Sequence, residues 1–300
     1  MVDILLATYN GEKFLNAQIS SIVCQSFQDW NLIVHDDGSV DSTIKILEEW
    51  MLKDSRIKII NDGIRCGGAA ENFMHLLSYS TADYVMFCDQ DDIWFDNKIQ
   101  VMYNAICLMN GNDYKILYSN ALVWMPEKGI KGNATISIAK NLREQLFFNG
   151  GIQGCSAIFS KEVRELMKRF HGKISMHDHL LNLIAVSFGR ITFLDIPLML
   201  YRNHGQNVTG ETRTKICTKS NIFGNRSIPV IDRKHYETVK LFYSLYKKEL
   251  SDTDKLLIKE YLLMPKLPLL YKLFKILKYR FKLYNSTMLL FLKILVRNYI

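Results

Sequence analysis

The first 110 residues repeat one unit, in which a short apolar stretch is followed by a polar loop and then by a stretch with helical periodicity. The apolar stretches, predicted to be strands, lie at residues 2–7, 31–35, 56–60 and 83–88. The helical stretches lie at about 14–23, 43–51, 70–77 and 97–109. Strands that alternate with helices at this spacing form a mainly parallel sheet with helices on both faces. The sequence therefore predicts an α/β fold whose site is built from loops at the carboxyl ends of the strands.

Three carboxylates follow the fourth predicted strand, in Asp89-Gln90-Asp91-Asp92. Carboxylates this close repel one another, so a fold that holds them together needs a divalent cation, water or hydrogen-bond donors. Asp-x-Asp at the end of a strand therefore favours a hard-metal site that bridges to phosphate. The alternative is a solvated acidic turn that caps the helix beginning near Phe95.

Two further polar clusters, Thr8-Tyr9-Asn10 and Asp36-Asp37, follow the first and second predicted strands, and a parallel sheet places them at the same edge as the three aspartates. No Gly-x-Gly-x-x-Gly follows the first strand and the chain has no P-loop motif, so dinucleotide-binding and P-loop proteins lose support. A phosphate ligand would then be held through a metal. For Asp36, a turn or capping role is as well supported as contact with a ligand.

Four segments occur together in order: Thr8-Tyr9-Asn10-Gly11, Gln25-Ser26-Phe27, Asp36-Asp37-Gly38-Ser39-x-Asp41-Ser42-Thr43 and Asp89-Gln90-Asp91-Asp92. With these segments the chain resembles the family 2 glycosyltransferases of the GT-A fold over roughly residues 1–210. The resemblance implies a mixed, mainly parallel, Rossmann-like sheet with helices on both faces, followed by a C-terminal helical extension. It also implies a hexosyltransferase that takes a sugar from a nucleotide diphosphate sugar with inversion at the anomeric carbon.

The resemblance implies roles for individual residues. The implied nucleotide-sugar-binding residues are Thr8, Tyr9, Asn10, Asp37, Arg65, Asp89 and Arg202. The implied ligands of Mg²⁺ or Mn²⁺ are Asp91, Asp89, Asp92 and His204. A hard cation there would stabilise the charge that the diphosphate gains as the glycosidic bond breaks. Arg65 is alternatively an ordinary surface arginine, and a lone loop histidine such as His204 is more often not a ligand.

In the family, an acid just ahead of a helix acts as the catalytic base, and Asp178 in Met176-His177-Asp178-His179 matches it. The alternative for Asp178 is a helix N-cap. A zinc site in this segment is disfavoured, because three successive residues of a regular helix cannot all face one metal. The segment Tyr201-Arg202-Asn203-His204 resembles one that closes over the donor diphosphate.

The acidic motif with Trp94, together with the two histidine segments, is similar to bacterial rhamnosyltransferases of surface polysaccharide synthesis. The similarity implies dTDP-rhamnose as donor and a lipid-linked saccharide as acceptor, in capsule, O-antigen or cell-wall polysaccharide synthesis. The alternatives are transfer of another hexose or N-acetylhexosamine, a nucleotidyltransferase, and a non-catalytic assembly protein. A nucleotidyltransferase usually carries a Gly-rich loop with Arg and Lys after its first strand, which this chain lacks. A processive synthase is disfavoured because the chain has no Gln-x-x-Arg-Trp segment.

The positive charge is concentrated at the end of the chain. Eight of the 38 Lys and Arg lie after residue 260, where there is no Asp or Glu, so the whole net charge of +8 lies in the last forty residues. A neutral body with a basic tail favours docking on an anionic membrane over nucleic-acid binding. The six cysteines occur singly, as is typical of reduced thiols in a cytosol, and no secretory signal is visible. We therefore expect a cytoplasmic protein that is peripheral on the inner face of the cell membrane.

We predict a GT-A domain at 1–210, with a nucleotide-sugar half at 1–115 and an acceptor half at 116–210, then a polar linker and helices at 211–260 and a basic tail at 261–300. The tail has lysines on one helical face and Leu270, Leu273, Leu277 and Phe281 on another, within a predicted helix at 267–284. Its longest charge-free stretch, 283–292, is too short to cross a bilayer, so we expect the tail to lie on the membrane surface. The alternative is a helix packed on the catalytic domain with its lysines in solvent.

Overall fold

The predicted repeat of strands and helices is present in the structure, a computed structural model that describes residues 1–110, 114–135, 137–148, 153–204 and 228–300. The polar linker predicted at the start of the segment 211–260 lies outside these residues. The strands are β1 Val2–Thr8, β2 Trp30–Asp36, β3 Ile57–Ile60, β4 Tyr84–Cys88, β5 Ile93–Trp94, β6 Lys115–Met125, β7 Gly129–Asn133, β8 Ala157–Ser160 and β9 Arg190–Arg202.

The first four helices each follow one of the predicted strands. The helices are α1 Leu15–Val23, α2 Thr43–Lys53, α3 Ala69–Leu76, α4 Lys98–Cys107, α5 Leu142–Gln145, α6 Lys161–Lys168, α7 His177–Ser187, α8 Arg233–Tyr246, α9 Asp252–Leu263, α10 Leu269–Tyr279 and α11 Thr287–Val296. Short 3₁₀ turns lie at Leu77–Tyr79, Gly154–Ser156 and Met264–Lys266.

Within the described residues the strands form one mixed sheet in the order β3-β2-β1-β4-β8-β6-β9-β5, with β7 paired to β6. The strands β3, β2, β1 and β4 are mutually parallel, as are β6 and β9, whereas β8 is antiparallel to β4 and β6. Thr8 at the end of β1 pairs with Asp36 at the end of β2, and Leu6 pairs with Cys88 at the end of β4. The loops that follow these three strands therefore leave the sheet at the same edge, as the sequence predicts.

The central strands of the sheet are buried, and their sequences are apolar over most of their length. Every residue of β1 is buried, because strands in a parallel sheet are covered on both faces. The helix α1 contributes Leu15, Ile19 and Ile22, which recur with helical spacing and are fully buried against the sheet. Burying one such side chain contributes roughly 1.5–3 kcal/mol, so this core holds the polar loops of the sheet edge in place.

The chain divides into two compact units. The first comprises Met1–Thr135, Ile152–Lys168 and Gly189–Thr214, and it contains the whole described sheet. The second comprises Ile136–Gly151, Arg169–Phe188 and Lys215–Ile300, and it is helical where the structure describes it. This division differs from the boundaries predicted at residues 210 and 260, because two segments of the predicted acceptor half group with the C-terminal helices.

The C-terminal tail is part of the folded second unit. The aromatic ring of Phe147 contacts Tyr261, Phe281 and Tyr299, and all four side chains are buried. The ammonium group of Lys282 lies 3.0 Å from a carboxylate oxygen of Glu144. These contacts lie within the second unit, so residues 265–300 are part of its folded core rather than a free extension.

The structure corrects the helix predicted at 267–284. Helix α10 ends at Tyr279, because Arg280 adopts a left-handed backbone conformation (φ 54°). The predicted apolar face is divided, since Leu273 and Phe281 are buried whereas Leu270 and Leu277 are exposed. None of the described helices combines the length and the apolar content needed to cross a membrane.

Candidate active site

The loop after β1 is held by side chains of the two neighbouring strand ends. Thr8 is buried, and its hydroxyl donates a hydrogen bond of 2.8 Å to Asp36 Oδ1. Asn10 has a positive φ of 48°, a conformation that Asn tolerates, and its amide N–H donates to Ser39 Oγ at 2.8 Å. Tyr9 leaves 56% of its surface exposed at the sheet edge. An exposed aromatic ring on a well-anchored backbone is suited to contact a flat ligand such as a base.

Asp36 and Asp37 have different surroundings. Asp36 accepts hydrogen bonds from the backbone amides of Gly38 and Ser39, at 3.0 and 2.7 Å, and from the hydroxyls of Thr8 and Ser39. These four bonds give Asp36 the turn role that was one of its two predicted alternatives. Asp37 Oδ1 instead accepts from the amides of Cys66 and Gly67, which ties the loop after β3 to the loop after β2.

Arg65 lies on that tied loop and reaches back to the loop after β2. Its guanidinium lies against Gly38, where a Cβ atom would be 2.6 Å from Arg65 Nε. Gly38 also has a φ of 86°, which favours glycine for a second reason. The structure thus brings Arg65 to the same edge as Tyr9 and Asp37.

The acid cluster is joined to the β1 loop by Gln90. Its side-chain Oε1 accepts from the Tyr9 amide at 2.9 Å, and its Nε2 donates to the Tyr9 carbonyl at 3.0 Å. Sequence reasoning placed Gln90 inside the acidic motif without giving it a role. The paired hydrogen bonds hold the predicted base-binding loop next to the carboxylates. They therefore set the distance between that loop and the acid cluster.

Residues at the end of β9 contact the acid cluster. Arg202 donates its backbone N–H to Asp92 Oδ1 at 3.1 Å and its Nε–H to the carbonyl oxygen of Asp91 at 2.7 Å. Its guanidinium lies 4.7 Å from the ring centre of Phe14 and 4.4 Å from that of Trp124. Two residues later, His204 Nε2 lies 2.7 Å from Asp91 Oδ2. Residues more than 100 positions apart therefore meet at one point of the sheet edge.

Burial shapes the electrostatics of the cluster. Burial, reinforced by the charges of Asp91 and Asp89, raises the pKa of Asp92 well above its ordinary value. Lys98 is also fully buried, and burial lowers its pKa to about 8. Its ammonium group donates to the Cys155 carbonyl oxygen at 2.7 Å and lies 3.8 Å from the centre of the Trp94 ring. No sequence signal marked Lys98, which stands in the first turn of α4 and offsets part of the negative charge.

The side chains present fit a hard divalent cation. Asp92 Oδ2 is buried and accepts no hydrogen bond from any described residue, so a cation would satisfy an oxygen that otherwise remains unpaired. Oxygen atoms of Asp89 and Asp92 lie within 4.8 Å of each other and of the Cys155 sulfur. Burial raises the pKa of the Cys155 thiol, which keeps it protonated and leaves the carboxylates as the donors. Carboxylate oxygens are the ligands that Mg²⁺ and Mn²⁺ favour.

Asp178 belongs to the second unit, in the first turn of α7. The N-cap residue of this helix is Met176, and it makes no side-chain capping bond, so Asp178 is not the N-cap that we considered as its alternative role. The neighbouring His179 is buried and stacks on His235, with ring centres 3.8 Å apart. That contact gives His179 a structural role.

A comparison with protein families identifies the chain. The model of glycosyl transferase family 2 matches residues 3–164, just over half of the chain. The protein belongs to glycosyl transferase family 2. The matched residues of this glycosyltransferase include the loops after β1, β2 and β4 that form the sheet-edge site.

Bacterial proteins to which this chain is similar are glycosyltransferases as well. The chain is 32% identical over 217 residues to the dTDP-rhamnosyl transferase RfbG of Shigella flexneri, covering 68% of this chain and 73% of that protein. It is 38% identical over 130 residues to the UDP-Glc:alpha-D-GlcNAc-diphosphoundecaprenol beta-1,3-glucosyltransferase WfgD of Escherichia coli, covering 41% of this chain and 49% of that protein. The predicted resemblance to bacterial rhamnosyltransferases is confirmed.

Solved structures confirm the predicted GT-A fold. The mannosyltransferase PcManGT from Pyrobaculum calidifontis, in complex with GDP-Man and Mn²⁺, superposes with a TM-score of 0.54. The match covers 99% of this chain and 86% of that one at 13% identity, so it shows the fold. This glycosyltransferase accordingly has a GT-A sheet followed by a helical C-terminal part.

Proposed function

We propose that this glycosyltransferase moves a single sugar, rhamnose, from dTDP-rhamnose to a lipid-linked saccharide with inversion, in the synthesis of a surface polysaccharide. The observation that carries the proposal is the convergence of Arg202 and His204 on Asp91 and Asp92, beside the loop that presents Tyr9. A nucleotide diphosphate needs an aromatic or polar surface for its base and positive charge for its phosphates, and this edge of the sheet offers both. The similarity to the Shigella dTDP-rhamnosyl transferase supports rhamnose.

Donor binding is divided between two groups of residues. Tyr9, Asp37 and Arg65, with the backbone of Thr8 and Asn10, would form the surface for base and ribose, and Asp89 would lie near the ribose. Arg202 supplies a cationic group whose aromatic neighbours hold its plane in one orientation. Gln90 keeps the two groups at a constant separation through its paired hydrogen bonds to Tyr9.

A divalent cation, Mg²⁺ or Mn²⁺, would be held by Asp91, Asp89 and Asp92, with His204 beside Asp91. When bound, such a cation stabilises the charge that develops on the leaving diphosphate. The residues of the chain have a separate task, which is to exclude water and to fix the carboxylates. Arg202 fixes the Asp92 carboxylate by donating its backbone N–H to it. Its Nε–H holds the carbonyl oxygen of Asp91 in the same way.

Asp178 is proposed as the general base. Inversion requires the acceptor hydroxyl to attack from the side opposite the leaving diphosphate, so the base must be separate from the metal-binding acids. Asp178 is placed on a different unit of the chain from those acids, at the start of a helix. It would accept the proton of the acceptor hydroxyl as the new glycosidic bond forms and the bond to diphosphate breaks.

Membrane docking of the second unit is supported by an exposed apolar stripe on α10. The stripe consists of Leu270, Tyr271, Phe274 and Leu277, which are 54–78% exposed. A groove that includes the end of the same helix is lined mainly by cations, with one acid: Asn141, Arg143, Glu144, Lys278, Tyr279, Arg280 and Lys282. Apolar side chains flanked by cations favour the surface of an anionic bilayer, here the inner face of the cell membrane, where a lipid-linked acceptor is held.

A screen of sugar donors tests the function. Purified protein is incubated with a panel of nucleotide sugars, and we expect slow hydrolysis of dTDP-rhamnose in preference to UDP-glucose, the donor named for the Escherichia coli relative. Preference for UDP-glucose would replace rhamnose by glucose in the proposal. Absence of hydrolysis and transfer with every donor and acceptor would contradict the enzymatic function.

The role of Asp178 is tested by substitution. We expect Asp178→Asn to lower turnover by about 10²–10⁴, the usual contribution of a positioned base, with donor affinity close to that of the parent. The matched control is Asp252→Asn, at a fully exposed carboxylate in the same unit. Near-normal turnover of Asp178→Asn, or a product that retains the donor's anomeric configuration, would reject the assignment.

A further inference from the structure

A second group of ligand-type side chains lies outside the candidate active site. His35 is in β2, Asp62 is in the loop after β3, and His75 is in the last turn of α3. One nitrogen or oxygen atom of each lies within 4.8 Å of the others. The proposed transfer reaction uses none of these three side chains.

The hydrogen bonds of Asn72 determine the tautomer of His35. Asn72 Nδ2 donates to the His35 carbonyl oxygen at 3.1 Å, which turns Asn72 Oδ1 toward the imidazole ring. His35 Nδ1 therefore carries a hydrogen and donates to Asn72 Oδ1 at 2.7 Å. An imidazole held in this way offers the lone pair of its Nε2, as metal-binding histidines do when their other nitrogen is hydrogen-bonded.

The Nε2 atom of His35 lies near a carboxylate. Asp62 Oδ1 lies 3.4 Å from His35 Nε2, and the His35 side chain is 2% exposed. Both atoms carry lone pairs, which is the arrangement that a metal ion can bridge.

The third side chain, His75, completes the group, and the Tyr79 hydroxyl also donates to Asp62 Oδ2 at 2.6 Å. His75 Nε2 lies 2.7 Å from Asp62 Oδ2, on the other side of the same carboxylate. Zinc ligands bound at 2.0–2.2 Å in tetrahedral geometry lie about 3.3 Å apart, a value between the two separations of 2.7 and 3.4 Å. His75 and Asp62 are each about one-fifth exposed, which leaves a path for an ion and a fourth position for water.

We propose that His35, Asp62 and His75 form a binding site for a Zn²⁺-type ion, separate from the hard-cation site at Asp91. Two imidazoles and one carboxylate suit zinc, whereas the aspartate cluster suits Mg²⁺ or Mn²⁺. On binding, the Nε2 atoms of both histidines and one oxygen of Asp62 coordinate the ion. The hydrogen that His75 Nε2 shares with Asp62 moves through solvent to His75 Nδ1, which leaves the Nε2 lone pair for the ion.

The site would stiffen the edge that receives the nucleotide. Asp62 also accepts a hydrogen bond from the Ile64 amide at 2.9 Å, at the start of the loop that carries Arg65. The amides of Cys66 and Gly67 in the same loop hold Asp37. An ion that fixes Asp62 therefore reduces the freedom of the loop on which Arg65 and the partners of Asp37 lie.

The test is a titration of the full-length protein with Co²⁺, a spectroscopic substitute for zinc, after removal of metals by a chelator. The background variant Asp91→Asn weakens the hard-cation site. We expect one equivalent of Co²⁺ with the intense visible bands of a tetrahedral site. His75→Gln keeps a donor for Asp62 but loses the imidazole, and we expect its Co²⁺ affinity to fall at least about 10-fold.

Two controls make the result decisive. His171→Gln, at an exposed histidine in the other unit, should leave the titration unchanged. Zn²⁺ should raise the thermal midpoint of the parent and not that of His75→Gln; Asp62→Asn serves if His75→Gln does not fold. The absence of tetrahedral bands in the parent, or equal Co²⁺ binding by the parent and His75→Gln, would overturn the proposal and leave a hydrogen-bonded cluster. Neither readout depends on glycosyl transfer, so the two proposals fail separately.

Discussion

Asp36, Asp62 and Asp91 lie at one edge of the sheet. Their hydrogen-bond partners differ, and so do the roles that we assign to them. Asp36 receives four hydrogen bonds from its own turn and from Thr8, which occupy its oxygens. Asp62 accepts from His75, Tyr79 and the Ile64 amide, and these hydrogen bonds lower its pKa far below the ordinary value. Asp91 lies next to His204 at a point where Asp92 is deeply buried. We therefore propose Asp91 and its buried neighbour Asp92, rather than Asp36, as ligands of the hard cation of the donor site.

At the residue scale, we predict that nucleotide binding depends on Asp91 and a divalent cation. Asp91→Asn removes a charge from the cluster, so affinity for the nucleoside diphosphate in Mn²⁺ should fall at least about 10-fold, or 1.4 kcal/mol. Isothermal titration calorimetry measures the change. The matched control is Asp96→Asn, an exposed carboxylate five residues away, which should bind like the parent. Equal affinity with and without a chelator would contradict the metal requirement.

At the element scale, α10 has one face that is buried and one that is exposed. Leu273 and Ile276 are buried in the second unit, and the ammonium group of Lys275 pairs with Glu260. Phe274 and Leu277 point away from that core and are 58% and 54% exposed. Truncation before residue 265 would remove both faces and expose the core, so substitutions on the outer face are the sharper test of membrane docking.

We predict that Phe274→Ser combined with Leu277→Ser releases the protein from anionic vesicles. Each side chain contributes about 1–2 kcal/mol if its exposed part enters the bilayer, so the bound fraction should fall at least about tenfold. Co-sedimentation measures it, and added salt should weaken binding of the parent. The control Leu108→Ser changes an equally apolar side chain, 79% exposed, in the first unit. Similar binding by the double variant and the parent would assign the stripe to another partner.

At the scale of the whole molecule, the second unit carries a buried pair of neutral histidines. Burial lowers the pKa of His235 from 6.5 to about 4, although the charge of Asp232 opposes the shift, and burial lowers the pKa of His179 as well. Because the folded-state pKa values are depressed, the full stability is present above pH 6.5. As the pH falls from 6.5 toward 4, the unfolded chain takes up protons that the folded chain does not, and stability is lost.

We predict that the thermal midpoint falls steeply between pH 6.5 and pH 4. The contribution of His235 alone is on the order of 3 kcal/mol, from a shift of about 2.5 pKa units. His179→Phe keeps a ring stacked on His235 and removes one titrating group, so its profile should be flatter. His171→Gln, at an exposed histidine, should follow the parent. Parallel profiles for His179→Phe and the parent, measured by circular dichroism, would contradict the prediction.

The sequence by itself determined the order of strands and helices in the first 110 residues and the edge at which their loops meet. Apolar periodicity reports which face of a segment is buried, and a parallel sheet places the ends of β1, β2 and β4 together. The motif residues around Asp37 and Asp91 followed from the same pattern, because they lie at those strand ends. Local sequence was sufficient wherever the deciding interactions lie within one repeat of strand, loop and helix.

Tertiary structure decided what depends on distant partners. The pairing of His204 with Asp91, the clamp of Gln90 on Tyr9 and the burial of Lys98 join positions that no periodicity relates. The C-terminal tail also depends on distant partners. Its sequence shows an apolar face but does not show which residues cover that face. Whether a polar or apolar side chain is satisfied depends on the atoms that surround it after folding, and those atoms come from elsewhere in the chain.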